Sequence, residues 1–204
     1  MNKRKQHSAA SKKKETLDRL TGAEAATVLR LLLNQRPDVK KDVEVLAKSV
    51  IGDVSVEEVA DGVEAAMDML DLDDLNDRAG SHAHGYVEPT EAAWELVEEA
   101  VMPFIEDIRR RAEAGEHAAA LNACAGVVLG LHRLREKAGD EFLQWAVDAP
   151  DELAGEAIVT FRKARRAKPA ARGGPRPPAS LPAIFRETAP EWAEMLERCW
   201  RRPA

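Results

Sequence analysis

Helix signals recur along most of this chain with little interruption, and that succession restricts its fold more than any other feature. Between Thr21 and Gly139, capping residues, apolar residues at a 3.6-residue spacing and glycine stops follow one another. Thr21 and Glu24 have capping-box spacing ahead of Val28, Leu31 and Leu32. Pro37 ends that segment and opens the next, in which Val39, Val43, Leu46, Ala47, Val50 and Ile51 repeat helically up to Gly52. Ser55 and Glu58 repeat the box before Val56, Val59, Val63, Met67 and Leu70. The acidic run from Asp71 to Asp77 and the segment from Gly80 to Gly85 interrupt the pattern, and the latter reads as a loop. A long helix is predicted over 90–114, facing inward with Trp94, Val97, Val101, Phe104 and Ile108. Pro103 should kink or split it, and Gly115 should stop it. Residues 116–138 follow, closed by Gly139; then a short helix over 140–147 and another over 151–167, turning Phe142, Trp145, Leu153, Ile158 and Phe161 inward.

Connections this short make neighbouring helices antiparallel hairpins. Composition agrees: aromatic residues are 4% of the chain, so its core must come from Leu, Val, Ala, Ile and Met, a palette that favours helices over strands. The predicted fold is all-α, an irregular array of antiparallel hairpins of tetratricopeptide or HEAT type. Residues 105–131 look like one such unit, but no second copy recurs at a fixed period. Residues 1–18 read as a basic disordered tail, 19–167 as an acidic helical-hairpin domain, 168–181 as a Pro/Arg-rich linker and 182–204 as a C-terminal amphipathic helix.

Charge is segregated along the chain. From Met1 to Lys14 there are six Lys/Arg and no acid, and from Arg162 to Arg176 seven and no acid; between Glu15 and Phe161, 13 basic residues face 32 acidic ones. The basic start has no apolar stretch and does not read as a signal peptide. The longest apolar run, 118–131, contains Asn122 and is too short to span a bilayer. Cys124 and Cys199 are far apart and match no metal spacing, so reduced thiols and a cytoplasmic setting are expected.

Residues 20–167 resemble a helical region found in bacterial proteins related to the SWIM zinc-finger family. The likeness is carried by Gly85-Tyr86-Val87, the stretch from Pro103 to Ile108, Ala114-Gly115, and Gly126 with Gly130 in an Ala-rich helix. It implies a hairpin fold and no catalytic residue. The zinc module of that family needs Cys-x-Cys and Cys-x-His pairs, which this sequence lacks, so its zinc chemistry is not implied.

Several residues invite sharper readings. The segment from Leu46 through Gly52 to Val59 suggests a helix-turn-helix, but its second helix carries Glu57, Glu58, Asp61, Glu64 and Asp68 with no Lys or Arg, a face phosphates would repel. His82 and His84, after Asp71, Asp73, Asp74 and Asp77, could bind zinc or nickel, or be solvated loop residues; a calcium loop fails because Ala79 stands at its glycine position. Gly126 and Gly130 share one face with Asn122 and suggest close approach of another helix, or a homodimer seam. Cys124 reads as a small buried hydrophobe, with His117 a poor partner for any nucleophile. Candidate phosphate contacts are Lys12, Lys13, Lys14, Arg162, Lys163, Arg165 and Arg166, although base-stacking aromatics are missing. Trp192, Met195, Leu196, Cys199 and Trp200 form one helical stripe that must be buried, either on the chain's own body or on a partner.

No catalytic residue, cofactor or metal is predicted. The expected function is a non-enzymatic interaction or scaffold protein using a helical-hairpin surface and the Trp-bearing helix, with an unidentified protein partner and no membrane. The alternative is a nucleic-acid-associated factor acting through the basic segments; a metal-dependent hydrolase is a third reading.

Overall fold

The structure is a computed structural model that describes residues 16–83, 85–137, 142–167 and 180–202. The protein is all-α. The elements are α1 (Gly22–Gln35), α2 (Lys40–Gly52), α3 (Val56–Met67), α4 (Leu72–Arg78), β1 (Gly80–His82), β2 (Gly85–Val87), α5 (Pro89–Ala114), α6 (His117–Glu136), α7 (Ala149–Ala167), α8 (Ala183–Thr188) and α9 (Ala193–Arg201), with short 3-10 turns between some of them. The chain forms two compact units, one ending at Ala47 and the other starting at Lys48, with the boundary inside α2. The division therefore falls within the 19–167 stretch expected to be one domain, and the C-terminal segment belongs to the second unit.

The local signals act as their chemistry requires. At α1 the Thr21 hydroxyl accepts from the Glu24 N–H at 3.3 Å while the Glu24 carboxylate accepts from the Thr21 N–H at 2.9 Å. Ser55 caps α3 by accepting from the Glu58 N–H. Gly115, at φ 89°, ends α5 in the left-handed conformation that favours glycine, and the Glu116 N–H returns to the Arg111 carbonyl at 3.0 Å. Three expectations are corrected. The acidic run contains a helix, α4, because one Asp71 carboxylate oxygen accepts from the N–H groups of both Asp73 and Asp74 at 2.9 Å. The segment after it is an antiparallel β-hairpin pairing Gly80 with Val87 and Ser81 with Tyr86. Of the two outcomes expected at Pro103, a kink or a split, the split does not occur: α5 runs through it, and Pro103 lies on the exposed face, where the carbonyl one turn earlier needs no buried donor.

In the second unit α6 is the hub. Helices α3, α5, α7 and α8 all pack on it, and its buried residues run nearly all the way round, from Ala119 to Leu134. A helix enclosed in this way has to be apolar on every side, which is why 118–131 is the longest apolar run in the chain. Val63, Val97, Val101, Ile105, Ile108, Leu131, Leu134, Leu153, Ile158 and Phe161 fill the core around it. Trp94 and Phe104 are only half-buried at its margin. Trp145, expected inward, is 44% exposed in its short 3-10 turn, whereas Phe142 is buried.

Candidate functional site

The seam between α3 and α6 is built on small side chains. A β-carbon added at Gly126 would lie 2.6 Å from the Val59 Cβ and 2.7 Å from the Val56 carbonyl oxygen; one at Gly130 would lie 2.8 Å from the Ala60 carbonyl oxygen. One turn before Gly126, the Asn122 side chain donates to the Val54 carbonyl at 3.2 Å. The glycines thus serve contact within the second unit, and that seam is occupied. On the outer side of α3, Arg133 reaches Glu57 at 2.6 Å and both Asp61 and Glu64 at 3.4 Å, while Lys137 meets Glu64 at 3.0 Å. The acids that argued against a DNA-reading helix are therefore partly neutralised from α6. Likewise Arg78 holds Glu99 through two hydrogen bonds of 2.8 and 2.9 Å, tying α4 to α5.

The C-terminal segment is docked on its own unit. Leu181, Phe185, Trp192, Leu196, Cys199 and Trp200 are all buried, with Met195 at the edge. Helix α9 lies along α7, where Gly155 makes room for the Cys199 Sγ, 3.0 Å from where a β-carbon would stand. Trp200 packs at 6.2 Å from Phe161 with the Arg162 guanidinium over its ring, and Trp192 meets His132 edge-on at 5.1 Å. The Trp-bearing helix is thus part of the fold, not an exposed tether.

This docking corrects the phosphate-contact set. Arg162 is buried and donates at 2.7 Å to the carbonyls of Cys199 and Arg202, closing the C-terminal end of α9. Burial, then the neighbouring charge of Arg166, pulls its pKa down from the ordinary arginine value. Both of its terminal nitrogens are thus engaged within the chain. Arg165 lies over the Phe161 ring, and Lys163 and Arg166 are exposed. Lys12, Lys13 and Lys14 lie outside the described residues, as does the 168–179 part of the linker.

The metal and nucleophile candidates do not converge. The His82 Nε2 is 2.6 Å from the Arg78 carbonyl, a hydrogen bond that engages one of its two ligand atoms, and His84 lies outside the described residues. Among the described residues, the one His/carboxylate group close enough for a shared ion is His132, Glu136 and Glu191. There the His132 Nε2 meets Glu191 at 2.8 Å and its Nδ1 lies 4.0 Å from Glu136, so the two carboxylates address opposite ring nitrogens. That is a clamp holding the turn before α9 to α6; a chelating set would aim at one point. Cys124 is fully buried, and burial pushes its thiol well above the ordinary range, so no thiolate forms there. Burial also lowers the His117 pKa, with Arg165 acting in the same direction and Glu116 against it.

What remains open is the first unit. No residue between Thr16 and Ala47 is buried. Leu20, Ala26, Leu33, Val39 and Val43 are half-covered, but Val28, Leu29, Leu31, Leu32, Val45 and Leu46 are 42–67% exposed. The apolar face that Val28, Leu31 and Leu32 form on α1 is therefore about half-exposed. His132, Gly155 and the capping role of Arg162 were not foreseen; the only signals were a histidine and a glycine inside apolar helical runs.

No family model, curated protein or solved structure matches the chain. The structure places Gly85-Tyr86-Val87 in β2, Pro103 to Ile108 in the middle of α5, Gly115 at its end, and Gly126 and Gly130 against α3. No helix among the described residues is long and apolar enough to cross a membrane.

Proposed function

We propose that this chain is a non-enzymatic protein-interaction protein whose contact surface is formed by the N-terminal helices α1 and α2. The observation that carries the reading is the aliphatic face of α1 and α2. Six large side chains on the two helices stand exposed within a unit that buries none of its described residues. Large aliphatic side chains left exposed on neighbouring helices are a usual mark of a binding surface. The second unit supports the same reading from the other side. Its own amphipathic C-terminal helix is already covered, and its glycine seam is filled by α3. The nucleic-acid alternative has less support, because Arg162, one of its candidate phosphate contacts, is engaged internally.

The test is cross-linking of the full-length protein in cells of its source. Wild type is compared with Leu29→Glu/Leu46→Glu, which puts one charge on each of the two helices. The reading expects cross-links from residues 16–47 to disappear in the variant at unchanged protein abundance. An unchanged cross-link set would refute it.

A further inference from the structure

We draw no further inference here: the strongest candidate, the groove between α7 and α9 lined by Glu156, Val159, Lys163, Met195, Cys199 and Arg202, carries nothing because its cysteine stands alone and nothing in the structure shows what covers it.

Discussion

Replacing Gly126 by Ala sets two effects of opposite sign against each other on one helix. Alanine is the better helix former by about 1 kcal/mol, so in an open position the change would stabilise α6. Here the new methyl would stand 2.6 Å from the Val59 Cβ and 2.7 Å from the Val56 carbonyl oxygen. Carbon contacts sit at about 3.5–4.0 Å, so α3 must retreat by about 1 Å. A backbone carbonyl cannot rotate out of the way, which puts the overpacking cost near the upper end of its ~1–3 kcal/mol range and the net effect at about 2 kcal/mol destabilising. For a chain of this length that is a fall of about 4–8 °C in Tm. Retreat of α3 would also lengthen the Asn122 bond to the Val54 carbonyl. Gly62→Ala is the control: its nearest neighbour is the ring edge of half-buried Phe104 at 3.1 Å, which can turn aside, so that variant should be neutral or stabilised by up to about 1 kcal/mol. Thermal and urea unfolding followed by circular dichroism gives both values. If Gly126→Ala matches Gly62→Ala, the helices are not in close contact and the account of the glycine seam is wrong.

Arg162→Ala strips two carbonyls at the end of α9 of their charged donor and bares the Trp200 ring, and should cost about 2–3 kcal/mol in urea unfolding; a cost near zero would mean the carbonyls are served otherwise. Trp192→Ala with Trp200→Ala should lower stability by more than either change alone, each being worth about 3–5 kcal/mol when fully buried, and should expose α9 to trypsin; unchanged melting would contradict the docked segment. Glu64 and Asp107 are held below the ordinary carboxylate range: burial pushes each upward, but Lys137 and Arg133 outweigh it at Glu64, and Arg111 and Arg110 at Asp107. With the folded pKa below the unfolded one, their contribution is complete above the ordinary carboxylate pKa and is lost as pH falls through the depressed values. Stability should therefore decline below about pH 4, and less steeply in Glu64→Gln; a protein more stable at pH 3 than at pH 6 would contradict the sign.

The features legible in the sequence are those whose physics is local. Thr21, Ser55 and Gly115 mark helix ends because a cap is satisfied within a turn of its own position. The stripe from Trp192 to Trp200 and the glycine pair in α6 were legible because helical spacing puts residues three and four apart on one face whatever lies opposite. The same spacing is silent about what does lie opposite. It gave Val28, Leu31 and Leu32 a common face but could not say that this face stays open, and it marked Arg162 as one more cation in a basic run when two distant carbonyls draw it inside. Trp145 reads as core by composition but sits on a short 3-10 turn that the packing leaves at the surface. The sequence by itself determined where the helices begin and end and which of their faces are apolar, because those depend on contacts within a few residues. Which faces meet, which charges are enclosed and which apolar surface is left uncovered were decided only by the tertiary structure, because each of these depends on residues tens of positions apart being brought together.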